Sequence, residues 1–348
     1  MADPARSAKP GYRLALMATL LALVVVGLGA FTRLVDAGLG CPDWPGCYGH
    51  LLWPSADHEI AVAEAHFPDA PVATDKTWPE MVHRYFAGAL GLTIAALAVI
   101  GWRRREDRDF PFRLPMLLLF LVVWQALFGM WTVTLKLWPQ VVTLHLLGGI
   151  SILSLMWLLA LRLGNVRWLP SSAPVARRLG RLKPWLVVAV AAVFCQIALG
   201  GWISSNYAAL ACGDFPTCHG QWWPTMDFRR GFDVLQEVGP NYLGGLLESE
   251  ARTAIHMAHR LGALAVAALM LGLGAALLAI PWPPARRLAL ALVGALALQI
   301  GLGIANVLLG LPLAIAVAHN LGAALVMLVL VTLAARIWTL REIDDDPH

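Results

Sequence analysis

Gly40-Cys41-Pro42-Asp43-Trp44-Pro45-Gly46-Cys47-Tyr48-Gly49 returns later in the chain as Ala211-Cys212-Gly213-Asp214-Phe215-Pro216-Thr217-Cys218-His219-Gly220. Both cysteines shift by the same 171 positions (212 − 41 and 218 − 47). Working outward, the same order of features follows each stretch. Glu80-Met81-Val82-His83-Arg84 has its counterpart in His256-Met257-Ala258-His259-Arg260, 176 positions on. Gln125 and Gln299, then His145 and His319, are each 174 positions apart. Matched features in one order at nearly one offset mark a half that is written twice.

The solvent for these halves is lipid. Of the 348 residues, 59% are apolar and only 14% charged, with a mean hydropathy of +0.67. A soluble domain averages about 25% charged residues. Eight apolar runs, about 14–34, 79–101, 115–136, 141–162, 185–206, 253–279, 288–308 and 312–338, are long enough to cross about 30 Å of hydrocarbon as helices. Helix is expected because backbone amides in lipid must pair within the segment. The fold class is an all-α integral membrane protein, its eight helices forming two four-helix bundles. An even number of helices separates matched elements, so the halves are expected as parallel repeats about an axis along the membrane normal. Small residues such as Gly129, Gly200-Gly201 and Gly301-Leu302-Gly303 suit close helix approach. The division is a tail (1–13), a first bundle (14–162), a linker (163–184), a second bundle (185–338) and an acidic tail (339–348).

Basic residues orient the chain. Arg6, Lys9 and Arg13 precede the first run; Arg103, Arg104, Arg105, Arg108 and Arg113 lie between the second and third. Arg162, Arg167, Arg177, Arg178, Arg181 and Lys183 follow the fourth, Arg286 and Arg287 the sixth, and Arg336 and Arg341 close the eighth. These are most of the 26 Lys and Arg. The long loops on the other side, about 35–78 and 207–252, hold only Lys76, Arg229, Arg230 and Arg252. Both termini are therefore expected in the cytoplasm and the long loops outside. The net charge of +4 reflects this bias and does not point to nucleic acid. The first run lacks a clear small-residue cleavage site and is expected to remain as a helix.

His83, His145, His259 and His319 fall near the starts of the even-numbered runs, at similar depth toward the outer side. Each half thus offers two imidazoles from two helices of one bundle. That suits two axial ligands to one haem iron approached from opposite faces. The bland alternative, a histidine bonded to a neighbouring carbonyl, suits one isolated residue better than a matched set of four. A closed zinc site needs four ligands, and no third matched ligand is present; copper is the remaining metal alternative. Arg84 and Arg260, next to two of the histidines, are candidate partners for haem propionates, or else snorkel to headgroups. Glu80 shares a helix face with His83, whereas the second half has His256 there. A carboxylate at one site alone suggests unequal roles. Glu80 is a candidate proton acceptor or charge stabiliser, or a carboxylate favoured by the helix dipole. His256 is open between a spare ligand, a propionate partner and an interfacial residue. Cys41/Cys47 and Cys212/Cys218 favour a disulfide within each outer loop, with a redox role the alternative for the first pair. Cys195 is expected to be packed, and Trp222-Trp223 to belong to an interfacial aromatic belt.

With these residues in view, the sequence resembles the haem A synthase family (CtaA/COX15). The resemblance is carried by Thr32-Arg33-Leu34-Val35-Asp36-Ala37-Gly38-Leu39-Gly40-Cys41-Pro42-Asp43-Trp44-Pro45, by Glu80-x-x-His83-Arg84, and by His145, His259-Arg260 and His319. It covers about 14–340 and is closest in kind to bacterial members with cysteine pairs in both halves. It implies an oxidoreductase acting on a CH3 group: the C8 methyl of haem O becomes a formyl group, giving haem A for haem-copper oxidase biogenesis. It implies substrate haem between His83 and His145 with catalytic Glu80, and cofactor haem b between His259 and His319. Both cysteine pairs match the family's disulfide positions. It further implies the bacterial inner membrane and association with haem O synthase and cytochrome oxidase assembly factors. The electron donor or acceptor, and any homo-oligomer, are left open.

Methyl to aldehyde requires two oxidations, through a hydroxymethyl and then a gem-diol that loses water. One route releases a histidine from the substrate iron to activate dioxygen. The other, preferred on the position of Glu80, removes electrons and lets water attack the methyl carbon. A dihaem b-type cytochrome linked to quinone and a non-enzymatic haem carrier are the competing classes. Glu80 in one half alone and the loop match argue against the first; Trp222-Trp223-Pro224 hints at the second, but the fuller tryptophan-Gly-Asp pattern is absent.

Overall fold

The computed structural model describes residues 8–165 and 168–340. Arg6, Arg167, Arg341 and most of the two tails lie outside them. The order is α1 (Tyr12–Leu34), α2 (Asp57–His66), α3 (Thr74–Arg103), α4 (Arg113–Thr134), α5 (Pro139–Leu163), α6 (Ala173–Gly180), α7 (Lys183–Ser205), α8 (Phe228–Gly231), α9 (Ser249–Leu278), α10 (Pro283–Leu308) and α11 (Leu313–Trp338). Among the described residues, eight helices are long and apolar enough to cross a membrane: α1, α3, α4, α5, α7, α9, α10 and α11. These match the eight apolar runs. The chief difference is that α3 and α9 begin earlier than the apolar edge, at Thr74 and Ser249. Their added turns, Thr74-Asp75-Lys76-Thr77 and Ser249-Glu250-Ala251-Arg252, are polar. Hydropathy stops where lipid would stop, but the helices do not.

Local chemistry starts and stops these helices. Proline stands at the first turn of α5, α7 and α10, where its missing N–H costs no helical bond. α1, α4, α7 and α10 all end in the same way. Ala37 N–H donates to the Thr32 carbonyl (2.9 Å), Leu137 to Thr132 (2.8 Å), Ala208 to Ile203 (2.9 Å) and Leu311 to Asn306 (2.7 Å). Each bond spans five residues across a left-handed residue: Asp36, Lys136, Tyr207 or Gly310. That is the Schellman stop, which satisfies carbonyls left over at a helix end.

Packing follows the repeat. α1 and α4 each lie against α3 and α5; α7 and α10 each lie against α9 and α11. The halves meet through α1 with α11, α5 with α7, and α5 with α11. One continuous core runs through both, from Ala15 and Leu153 to Leu273 and Leu333. Trp157 Nε1 donates to Thr332 Oγ1 across it (2.8 Å). Outward faces keep exposed apolar side chains such as Leu20, Leu92 and Leu264, as a lipid solvent allows. Cys195 is also exposed on α7, contrary to its expected packing. Its face of the helix meets no neighbour, so a small apolar thiol there suits lipid contact.

Between lipid-facing helices the hydrophobic effect supplies little drive, and close fit supplies much of the stability. Gly201 of α7 tests this where the halves touch. A Cβ there would lie 3.1 Å from Leu146 Cδ2 and 3.2 Å from Thr143 Cγ2. Gly201→Leu is expected to cost about 1–3 kcal/mol of stability through overpacking. Gly272→Leu, whose site opens on empty space, is the neutral control. Thermal unfolding of the detergent-solubilised variants reads the difference.

Candidate functional site

The four histidines are set by helix register. His83 and His259 lie in the third turn of α3 and α9, and His145 and His319 in the second turn of α5 and α11. Each ring lies over a glycine of a neighbouring helix. A Cβ would come 2.9 Å from His83 Cε1 at Gly29, 3.2 Å from His145 at Gly129, 3.4 Å from His259 at Gly200 and 3.0 Å from His319 at Gly303. At Gly29, Gly129 and Gly303 a side chain would crowd the imidazole, while at Gly200 the contact would be close to ordinary. The sequence reading took three of these glycines as helix-packing residues and passed over Gly29. The pairing of glycine with histidine on adjacent helices becomes visible only once the helices are placed.

Within the first half the imidazoles face each other. The rings of His83 and His145 have centroids 6.5 Å apart and planes at 82°. A metal–imidazole bond is about 2 Å and the ring centre lies roughly 1 Å beyond the nitrogen, so two imidazoles on one metal place their centroids about 6 Å apart. The observed spacing fits one metal ion between the rings. His259 and His319 are near enough for their charges to interact. The Nδ1 atoms of His83, His145 and His319 are buried without a hydrogen bond, an arrangement that calls for a further partner. No group of three or more His, Cys, Asp or Glu able to hold a metal occurs among the described residues. Two imidazoles per metal, with the other positions supplied by a macrocycle, is the chemistry these donors fit.

Above each histidine pair lies a disulfide loop, and the two loops match closely. Cys41 is bonded to Cys47 and Cys212 to Cys218. Asp43 accepts the N–H groups of Tyr48 (2.6 Å) and Gly49 (2.8 Å). Asp214 accepts those of His219 (2.7 Å) and Gly220 (3.0 Å), and also the Thr217 hydroxyl (2.7 Å). The arginine after each histidine is spent on its loop. Arg84 donates to the carbonyls of Asp43 (3.0 Å), Pro45 (3.2 Å) and Gly46 (2.5 Å). Arg260 donates to those of Thr217 (2.8 Å), Asp214 (2.7 Å) and Cys212 (3.3 Å). Both guanidinium groups, for which the sequence offered propionates or headgroups as partners, donate to loop carbonyls, and Arg84 also pairs with Glu80.

The halves differ under the loop. Glu80 is buried, with 4% of its surface exposed. One oxygen accepts the Cys41 N–H (3.0 Å) and the other pairs with Arg84. It thus sits in the second turn of α3, past the first-turn position that a helix dipole favours. In the second half, buried His256 places Nδ1 3.0 Å from the Ala208 carbonyl. Trp222 and Trp223 are exposed on the long loop between α7 and α9.

The outer segments also join the halves. Arg33 lies 4.2 Å from the centre of the Tyr207 ring, and Tyr207 hydroxyl donates to Asp36 (2.8 Å). A segment of the second long loop crosses to the α4–α5 turn of the first half. There Tyr242 N–H donates to the Lys136 carbonyl (3.1 Å), Trp138 Nε1 to that of Gln236 (3.1 Å) and Gln140 to that of Val234 (2.9 Å).

Fold and site together define a polytopic membrane protein with two histidine pairs suited to haem, one in each half. More particularly, residues 12–331 match the COX15-CtaA family of cytochrome oxidase assembly proteins, and the chain belongs to that family. It is similar to a protein of Shewanella oneidensis named Heme A synthase, 46% identical over 94% of this chain and 95% of that one. A protein of the same name from Caulobacter sp. (strain K31) is 28% identical over 91% and 93%. Another, from Halalkalibacterium halodurans, is 25% identical over 64% and 68%.

The 212–220 loop carries a pH signature. The Thr217 hydroxyl, with the Gly220 and His219 N–H groups, holds the Asp214 carboxyl down at about 2 from its usual 3.8. A lowered carboxyl favours the folded loop fully above the unfolded value and loses that contribution as pH falls through the folded one. The 212–220 loop is therefore expected to hold at pH 5 and loosen as pH approaches 2. Amide hydrogen exchange at His219 and Gly220 reads this, and Asp214→Asn should remove the dependence.

Proposed function

We propose that this protein is a haem A synthase, oxidising the C8 methyl of haem O to a formyl group. The observation that carries this reading is the facing His83–His145 pair with a buried carboxylate, Glu80, one helical turn away. The matched pair His259–His319 has His256 in place of that carboxylate. Substrate haem is assigned to the first half and haem b to the second. His259 and His319 would hold haem b, which would supply electron transfer. The halves act as parallel repeats, 14–162 and 185–338, in the bacterial inner membrane. Both termini are cytoplasmic, and the haems lie toward the outer face. The positive-inside distribution of Lys and Arg supports that orientation. The implied partners are haem O synthase and oxidase assembly factors, which fits the family's description as cytochrome oxidase assembly proteins.

This chain's residues then have distinct tasks. His83 and His145 orient the substrate through its iron. Arg84 and Arg260 tie the disulfide loops down as roofs, and Cys41–Cys47 and Cys212–Cys218 stiffen them. The roofs restrict water at the outer edge of each haem. Glu80, on the histidine's helix face, accepts a proton or balances positive charge as the methyl carbon is oxidised. Arg84, paired with it, aims the carboxylate. Two successive two-electron oxidations, with water as the source of the formyl oxygen, balance the reaction; the electrons pass to an external acceptor.

Glu80→Gln is expected to keep both haems while haem A formation falls by about 10²-fold or more, the range of a lost general base. Mass spectrometry of haems extracted from membranes that also make haem O reads this directly. Undiminished formyl haem from the variant would end the assignment of Glu80. Extraction of haem O unchanged from cells carrying the wild-type protein would end the assignment of function. His259→Ala should remove the low-spin haem b spectrum and leave the first-half site loadable. Incubation in ¹⁸O water, under conditions that block aldehyde exchange, tests the oxygen source: label absent from the formyl group would exclude water as the nucleophile.

A further inference from the structure

At the end of the molecule opposite the disulfide loops, a cavity of about 260 Å³ opens among Lys9, Arg108, Asp109, Arg162 and Arg336. Its walls come from four stretches of chain: the segment before α1, the turn between α3 and α4, the end of α5 and the end of α11. Four cationic side chains thus converge on one space that holds a single carboxylate. The stretches are tied to one another by backbone. Lys9 N–H donates to the Leu163 carbonyl at the end of α5 (2.8 Å), and the Lys9 ammonium donates to the Asp109 carbonyl.

Acids of this chain do not neutralise the cavity. Among the described residues, Asp109 makes no ion pair, and neither does Arg108 or Arg162. The other acids of the α3–α4 turn are engaged elsewhere: Glu106 pairs with Arg105 (3.6 Å), and Asp107 accepts the Asp109 N–H (3.0 Å). Like charges gathered in one cavity repel, and a bound anion relieves that cost. Guanidinium groups suit phosphate in particular, whose oxygens accept two N–H bonds at once.

The depth of the cavity points to the source of that phosphate. Trp102 at the end of α3 and Trp338 at the end of α11 are exposed, as rings at a membrane–water interface are. Arg105 lies over the Trp102 ring, 5.0 Å from its centre. Trp338 stands between two residues of the cavity wall, Arg336 and Thr339. The cavity is therefore level with lipid headgroups, where basic pockets between membrane helices take anionic lipids.

We propose that this cavity binds the phosphate of an anionic phospholipid such as phosphatidylglycerol, with Lys9, Arg108, Arg162 and Arg336 as its partners. A free phosphate ion offers the same oxygens, but the leaflet presents phosphates at this depth at high local concentration. Lys9, Arg108 and Arg162 belong with the first half and Arg336 with the second. The bound lipid therefore bridges the halves at this end, as the loop segment that reaches Lys136 and Trp138 does at the other. The proposal is independent of the haem-binding reading above.

Native mass spectrometry of the detergent-solubilised full chain tests it, with phosphatidylglycerol and phosphatidylcholine titrated separately. One phosphatidylglycerol should be held about 10-fold more tightly than phosphatidylcholine. Arg108→Gln with Arg162→Gln should weaken it by about 30-fold, roughly 5-fold for each charge lost. Both side chains are exposed, so the fold should survive their loss. Arg177→Gln with Arg178→Gln removes equal charge from α6, at the same end but outside the cavity, and should leave the affinity as it is. Inorganic phosphate, added against chloride at matched ionic strength, should leave the lipid bound. The proposal is overturned if phosphatidylglycerol is held no better than phosphatidylcholine, or if the cavity variant holds it as the wild type does. It is equally overturned if the α6 variant loses as much, which would mean a diffuse surface charge, or if inorganic phosphate displaces the lipid, which would assign the cavity to a free ion. Should the double variant not fold, Arg162→Gln alone decides: an unchanged affinity overturns the proposal.

Discussion

An imidazole can lie between two membrane helices only where one of them gives up a side chain. Gly29, Gly129, Gly200 and Gly303 do so, each under one histidine ring. Lipid tails compete with side chains for apolar contact on equal terms, so helices in a bilayer associate through close approach and polar contacts. At these four points the approach is bought by a missing side chain and filled by a ring. That constraint fixes how α1, α4, α7 and α10 stand against the histidine helices. The outer loops leave from the ends of those same four helices, through left-handed stops that turn the chain sharply. The placement of the disulfide loops, and of the arginines that hold them, follows from this register.

The two halves agree in backbone detail and disagree in a few side chains. The disulfide loops share an aspartate that gathers two N–H groups, a left-handed residue before a left-handed glycine, and an arginine seated on their carbonyls. The departures gather around α3. Glu80 replaces a histidine, Phe86 a glycine, and Val25, on the helix facing His83, a glutamine. The two copies of the scaffold thus differ around one histidine, on α3 and on the helix that faces it. The first site has a buried carboxylate, Glu80, where the second has buried His256.

The sequence made the spans, the histidines and the cysteine pairs legible because each depends on residue type. Apolar length reports a membrane helix whatever its neighbours are, and the repeat singles out the chemistry-bearing side chains. The outer turns of α3 and α9 escaped that reading because Thr74-Asp75-Lys76-Thr77 and Ser249-Glu250-Ala251-Arg252 are too polar to count as lipid-facing. Three of the four helix stops were hidden because Asp36, Lys136 and Tyr207 adopt a backbone conformation usually signalled by glycine. Arg84 and Arg260 were seen, but not their partners, since a backbone carbonyl leaves no mark in a sequence. Gln196, whose Nε2 donates to the His259 carbonyl (2.9 Å), escaped that reading because its counterpart in the repeat is Val25, so comparing halves for identical residues passes over it. A comparison among all four histidines, ring by ring, would have found it.

The segment of the second long loop that crosses to Lys136, Trp138 and Gln140 makes the relation between the halves unequal in a further way. A protein descended from two identical copies side by side would have begun with such a strap on each. Here the corresponding stretch of the first loop folds into α2 and packs over its own half, around Tyr48 and Phe67. The first bundle therefore borrows part of its rim from its sister, and returns no equivalent loan. Cut away from the second half, the first would lose that wall, because the residues that build it lie in the 207–252 loop.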